Sequence, residues 1–370
     1  MSMYYNYRKI EGYNIPIMVI VGPRGLGKTF GVLLTKGIYS FVNKGDRFIY
    51  VVETKDMVDT LAQNKGEKFF SAILEYLHNN PSNKHNRILD KLLPSDTNNT
   101  EVESGEIDEL SKSLPNKIIG GTIKIGGETA GYLIALNDFA NIKRNNFTGV
   151  KTIIVDEFIP EQIDIRHLQN PRKLISIIQS IARLKYIKIY LLGNSIRPND
   201  IILTRLGLDN MKPGEFRVIK DKYGPLIVGN MVDRREYQEY SEKQDASVAG
   251  RLATLMREDN LDKNSFSQAL TEDLLIPSSP KASHLLFCIH GEGGSIRVNV
   301  TKDHSEYYVL NDYGINTKLR ICFEERFASP VVRYIKEYRD MLLLKYQAGE
   351  IKFESDSVHL MFKVIMKLNL

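Results

Sequence analysis

The stretch Gly22-Pro-Arg-Gly-Leu-Gly27-Lys28-Thr29 constrains what this chain can fold into more than any other. It follows an apolar run, residues 15–21, that is too short to span a membrane and reads as a buried strand. Helix-compatible sequence begins immediately after it. A strand, a glycine loop and a helix in that order form a cradle for phosphate. Glycines let backbone N–H groups curl around an anion, and the helix N-terminus adds its positive end. Lys28 reaches the outer phosphates, and Thr29 offers a hydroxyl to Mg²⁺. Gly22, Pro23, Arg24, Gly25, Leu26, Gly27, Lys28 and Thr29 are therefore the candidate nucleotide-contacting positions. A plain turn that happens to contain Lys-Thr would not need this spacing.

A second motif gives the loop a partner. Lys151-Thr-Ile-Ile-Val-Asp156-Glu157-Phe158 is a β-branched run ending in two adjacent carboxylates. Alone it could be any strand that runs into a polar loop. Beside a phosphate cradle, Asp156 joins Thr29 in holding a Mg²⁺ shell. Glu157 stands where a carboxylate can orient and deprotonate an attacking water. A third strand, residues 186–192, ends in Gly193-Asn194-Ser195. Asn194 either reaches the γ-phosphate or the lytic water, or serves an ordinary strand-to-turn transition; the other two motifs favour the first role. ATP and Mg²⁺ are the expected cofactors, and hydrolysis is the expected reaction.

The rest of the chain sets bounds. Its 370 residues suffice for two or three cores. A hydrophobic content of 42% and a charged content of 26% are those of an ordinary globular protein. A net charge of +5 permits a nucleic-acid partner without demanding one. No stretch approaches the roughly 20 apolar residues of a spanning helix, so no membrane association and a cytoplasmic location are expected. Cys288 and Cys322 lack metal-ligand spacing and read as buried thiols.

Strand and helix signals alternate over residues 1–205, which predicts an α/β fold with a mostly parallel central sheet flanked by helices. Residues 79–116 are rich in Asn, Ser, Asp and Glu and read as an inserted, mobile loop. Residues 117–136 read as a hairpin or meander. Residues 206–275, with helical spacing over 232–256, read as a linking or lid subdomain. Ile276-Pro-Ser-Ser-Pro280 marks a boundary. Beyond it, residues 276–370 carry four short β-like runs and then helical segments over 330–346 and 357–368. That is a separate α+β domain.

Several of these segments together resemble the DNA-packaging ATPases of small short-tailed phages, the phi-29-like type. The likeness rests on GPRGLGKT, RFIYVVETK, GYLIALNDFANIKRNNF, TIIVDEFI and LLGNS, and on Gly349-Glu-Ile-Lys-Phe before the last helix. The resemblance implies a P-loop NTPase of the ASCE class, in which a catalytic glutamate follows the metal acid. It implies a homomeric, pentameric ring that drives double-stranded DNA into a procapsid and docks on the portal or a structural RNA ring in the host cytoplasm. In such rings a neighbour lends a cation to each site, a role that maps onto Lys143, Arg144 or Arg183; solvated surface cations are the plainer reading of each. The resemblance also pairs Arg24 with Glu157 as a brake on catalysis and turns Lys55 toward DNA. It gives the C-terminal domain a ribonuclease H-like fold without nuclease activity.

Two other readings compete. A helicase-like or other nucleic-acid-remodelling ATPase would need stacking platforms for single strands, yet the chain has no Trp. A nucleotide-gated scaffold would not need Lys28, Thr29, Asp156 and Glu157 all intact.

Overall fold

The computed structural model describes residues 5–92, 117–119, 121–138, 147–159, 168–183, 185–194, 201–209, 211–237, 242, 246–248, 251, 282–292, 294–312, 314 and 319–368. After a short helix α1 (Arg8–Glu11), the apolar run forms β1 (Ile17–Gly22), buried from Met18 onward. One continuous helical rod follows: α2 (Lys28–Val32), a π-helical turn (Leu33–Ile38) and α3 (Tyr39–Lys44). The π turn was not expected from periodicity. β2 (Arg47–Val52) is as buried as β1. α4 (Lys55–Ala62) and α5 (Glu67–Asn79) are separated by a 3-10 turn over Gln63–Gly66.

α6 (Asn83–Leu92) corrects the reading of residues 79–116 as a mobile loop. Ile88 and Leu92 lie one helical turn apart and are fully buried. That one apolar seam suffices to dock an otherwise polar helix. The remainder of the segment, 93–116, lies outside the described residues. The expected meander forms as β3 (Lys117–Ile119), β4 (Thr122–Ile125) and β5 (Glu128–Ala135). Then come β6 (Val150–Val155), α7 (Asn170–Ala182), β7 (Lys188–Asn194) and α8 (Ile201–Arg205).

β8 (Phe216–Asp221) and β9 (Gly224–Met231) fall within the segment read as a linker or lid, yet they join the first sheet. Its nine-strand order is β3-β4-β5-β2-β6-β7-β1-β9-β8. From β5 to β9 every pairing is parallel, with antiparallel strands only at the two edges. β7 therefore lies between β1 and β6. Gly22 pairs with Asn194, and Val155 pairs with Leu191, so the loop, the acids and Asn194 gather at the carboxyl ends of three adjacent strands. That is where ligands bind in open α/β sheets.

Alternation along each strand feeds two cores. Met18, Ile20, Phe48, Tyr50, Tyr190 and Leu192 face the rod and α5–α6. Val19, Val21, Ile49, Val51, Ile189 and Leu191 face α7 and α8, in a core that continues into the C-terminal part. A strand sheathed on both faces reads as a continuous apolar run, which is why periodicity alone did not separate the faces.

The C-terminal sheet holds β10 (Ser283–Gly291), β11 (Gly294–Thr301), β12 (Tyr307–Asn311), β13 (Arg320–Cys322), β14 (Arg333–Tyr334) and β15 (Ile351–Phe353). Its order is β14-β13-β10-β11-β12-β15. β10 to β12 pair antiparallel, while β13 and β14 extend the sheet parallel to β10. α9 (Glu337–Gln347) starts later than the expected helix at 330, because β14 occupies part of that stretch. α10 (Asp356–Ile365) packs Phe362 and Ile365 into the core. A Lys363–Asp209 ion pair, 12% and 8% exposed, ties α10 to the first sheet's domain. No helix among the described residues is long and apolar enough to cross a membrane.

Candidate active site

The glycine loop leaves β1 and turns twice through left-handed backbone, at Gly25 (φ 76°) and Gly27 (φ 69°). A side chain at either position would carry a cost of about 1–2 kcal/mol, which favours glycine at both. Leu26 points inward and is fully buried. The N-terminal arm reaches this turn: the Tyr5 N–H donates to the Leu26 carbonyl at 2.8 Å, and the Tyr5 hydroxyl donates to Asn230 Oδ1 at 2.8 Å. Nothing in the local sequence marked Tyr5 as the residue that seats the loop.

Lys28 is 6% exposed. Its ammonium donates to the carbonyls of Gly22, at 2.8 Å, and Pro23, and lies 3.5 Å from Asn194 Oδ1. Burial pulls its pKa down to about 7, against the opposing pull of the Asp156 and Glu157 carboxylates, while Arg24 adds to the fall. The Thr29 hydroxyl donates to Asp156 Oδ1 at 2.6 Å. A hydroxyl and a carboxylate oxygen side by side are the hard donors that Mg²⁺ prefers, so these two residues fit the ion.

The second Asp156 oxygen accepts from the Tyr50 hydroxyl on β2. Burial, reinforced by Asp156, keeps that phenol protonated well above its usual range. The Asp156 N–H donates to Val51 at 2.9 Å and the Phe158 N–H to Leu192 at 3.2 Å, so the acid turn is fastened to the strands on both sides. Between them Glu157 adopts a left-handed backbone (φ 47°), with its N–H donating to Asp156 Oδ1 at 3.1 Å. Its exposed carboxylate accepts from Asn194 Nδ2 at 3.2 Å. A non-glycine residue held in that conformation is strained, and such strain persists only where neighbours over-determine it.

Arg24, Gly25, Gly27, Lys28, Thr29, Asp156, Glu157 and Asn194 thus face one cavity of about 270 Å³. Gly22, Pro23 and Leu26 support it from behind. Arg183 caps the C-terminus of α7, exposed, and does not line this cavity. Lys55 opens α4 at the same edge of the sheet, exposed, next to the Thr54 hydroxyl that accepts from the Met57 N–H at 3.3 Å. Lys143 and Arg144 lie outside the described residues. Tyr50 was missed because a tyrosine in an apolar strand looks like core until its neighbour is known.

No protein-family model matches the chain. Two curated proteins do: the DNA packaging proteins of Bacillus phage PZA and Bacillus phage phi29, each 22% identical over 186 residues, or 49% of this chain. The chain spans 43% of the length of the curated relatives it matches. Among solved structures, the phi-28 gp11 DNA packaging motor aligns with a TM-score of 0.57 at 17% identity, covering 100% of this chain and 99% of that one. The bacteriophage phi-29 viral genome packaging motor assembly aligns with a TM-score of 0.52 at 18% identity, covering 100% of both. Both share with this chain a mixed α/β fold built on large, parallel-rich sheets. The chain resembles phi29-like packaging ATPases in sequence and in fold.

Proposed function

We propose that this chain is an ATP-driven translocase that packages double-stranded DNA into a viral procapsid. The observation that carries the reading is the meeting of Lys28, Thr29, Asp156, Glu157 and Asn194 at three neighbouring strand ends. In this reading the loop is a P-loop. Its N–H groups and Lys28 bind the phosphates, with the ammonium exchanging the Gly22 and Pro23 carbonyls for phosphate oxygens. Thr29 and Asp156 hold Mg²⁺, which when bound offsets charge on the phosphates. Tyr50 fixes the second carboxylate oxygen of Asp156. Glu157 takes the proton of the attacking water, and Asn194 holds that carboxylate in place.

The ASCE assignment draws support from β7 lying between the loop strand and the acid strand. Arg24 lines the same cavity as Glu157, within reach of acting as a brake on it. Arg183 stands away from its own chain's cavity, as a cation lent to a neighbouring subunit must, and the proposed homomeric ring, a pentamer by resemblance, supplies that neighbour. Lys143 and Arg144 remain candidates for the same role. Lys55 faces the proposed DNA channel.

For the C-terminal part, three antiparallel strands, extended in parallel by β13 and β14 on one side and by β15 on the other, support the ribonuclease H-like reading. β10 carries no carboxylate, and Asp312 is paired with Arg320 at 2.9 Å. An acid held that way is poorly available to a metal, which favours a non-cleaving domain that binds DNA, the portal or an RNA ring on the procapsid.

The test is ATP hydrolysis with and without duplex DNA, in the presence of procapsids. Stimulation by duplex, lost in Glu157→Gln with ATP binding retained, is the expected result. A strict requirement for single strands would favour a helicase-like remodelling ATPase instead. Binding without turnover under every condition would leave a nucleotide-gated scaffold.

A further inference from the structure

A second cavity, about 410 Å³, opens between the first turn of α2 and the exposed flank of α5. It meets the phosphate cavity at Gly25, Gly27 and Phe30, which line both. The two differ in chemistry. The smaller holds the lysine, the acids and Asn194, so it receives the reacting end of a phosphate chain. A triphosphate lying on the loop must then run its other end toward Phe30, and whatever it carries leaves into the larger cavity.

That larger cavity is walled for a flat heterocycle. The Phe30 and Tyr76 rings stand edge to face, with centroids 5.1 Å apart and planes at 71°. Asn80 is committed to the fold: its Nδ2 donates to the Tyr76 carbonyl at 2.9 Å, and its own carbonyl meets His85 Nδ1. Glu75 and Asn79, one turn apart on α5, also line the cavity. Among the described residues their side chains have no hydrogen-bond partner. An Asn amide presents a donor and an acceptor side by side, the fork that matches adenine's amino group and adjacent ring nitrogen. A carboxylate accepts from an amino group and repels the 6-oxo group of guanine.

We propose that this cleft seats the adenine of the nucleotide, with Tyr76 covering its face and Asn79 and Glu75 reading its edge. The inference rests on the nucleotide reading of the loop, and the test separates the two. Calorimetry on the full chain with Mg²⁺ compares ATP, GTP and inorganic tripolyphosphate. Tyr76→Ala should weaken ATP by about ten-fold, within the range of one stacked base, while tripolyphosphate affinity stays unchanged. Tyr76→Phe should retain ATP. Asn79→Ala, at an exposed helix end, should narrow the preference for ATP over GTP. Equal weakening of ATP and tripolyphosphate by Tyr76→Ala, or ATP affinity unmoved in both Tyr76→Ala and Asn79→Ala, would overturn the cleft alone. A wild-type chain that binds tripolyphosphate as tightly as ATP would do the same. Failure of the wild-type chain to bind either would overturn the loop assignment and the cleft with it.

Discussion

Asn194 Nδ2 donates to Glu157 Oε1 at 3.2 Å, joining the ends of two strands that share an edge in the sheet. The contact spans 37 positions of sequence and aims the carboxylate of a residue whose backbone is itself in a strained conformation. Removing it should disorder the proposed general base; the 3.5 Å approach of Asn194 Oδ1 to the Lys28 ammonium goes with it, but Lys28 keeps the Gly22 and Pro23 carbonyls. Asn194→Ala should therefore lower kcat by roughly 10²-fold, the lower end of what positioned general bases contribute, with KM for ATP little changed. Asn194→Asp should be worse, because it sets a like charge against Glu157. Steady-state ATPase kinetics decide this, and an unchanged kcat in both variants would remove Asn194 from the mechanism.

Tyr50 and Asp156 make a comparable pair. Tyr50→Phe keeps the ring in the core but removes the donor to a charged acceptor, at a cost of about 1.5–3 kcal/mol. The loosened carboxylate should also hold Mg²⁺ less well. We expect a lower urea midpoint and a higher Mg²⁺ concentration for half-maximal nucleotide binding. A variant that loses stability with an unchanged Mg²⁺ dependence would reduce Tyr50 to a packing residue.

The Lys363–Asp209 pair is nearly dry and bridges α10 to the first sheet's domain. Either Lys363→Ala or Asp209→Ala removes one partner of a buried ion pair, which should cost about 3 kcal/mol or more. Lys363→Met combined with Asp209→Leu removes both charges and should recover most of that loss. Equilibrium unfolding of the three variants tests this, and additive losses in the double variant would mean that the pair does not act as a unit.

His359 gives a pH dependence with a defined sign. It stacks on Phe353 at 4.3 Å between ring centroids, and its Nε2 lies 2.8 Å from the Tyr346 hydroxyl. That phenol stays protonated, since burial raises its pKa, so it donates and the imidazole accepts. Burial, with Lys363 nearby, pushes the His359 pKa from 6.5 down to about 4. Between those values the unfolded chain binds a proton that the folded chain refuses. Stability from this group is present above 6.5 and is lost as the pH falls toward 4, by about 3 kcal/mol in all. His359→Gln should flatten the difference in unfolding free energy between about pH 7.5 and about pH 5. A slope identical to wild type would locate the acid sensitivity elsewhere.

The glycine loop, the Asp156-Glu157 pair and Asn194 were legible in the sequence because their chemistry is local. Left-handed turns favour glycine, phosphate needs backbone donors and lysine, and an acid at a strand end needs only the strand before it. The parallel sheet was legible from alternating strand and helix signals. Other features were not, because they depend on what arrives from far along the chain. Tyr50 becomes a support for Asp156 only when β2 lies beside β6, 106 positions away. Tyr5 seats the loop only because the arm lies against Leu26 and against Asn230 on β9. α6 read as polar loop because its burial hangs on Ile88 and Leu92 meeting a core that other helices build. β8 and β9 joined the first sheet because the free edge of β1 offered unpaired backbone groups, a demand no local pattern records. The sequence by itself thus determined the glycine loop, the paired acids and the amide of the candidate site. The tertiary structure decided how they are held, because hydrogen bonds and burial between distant segments exist only once the sheet has brought those segments together.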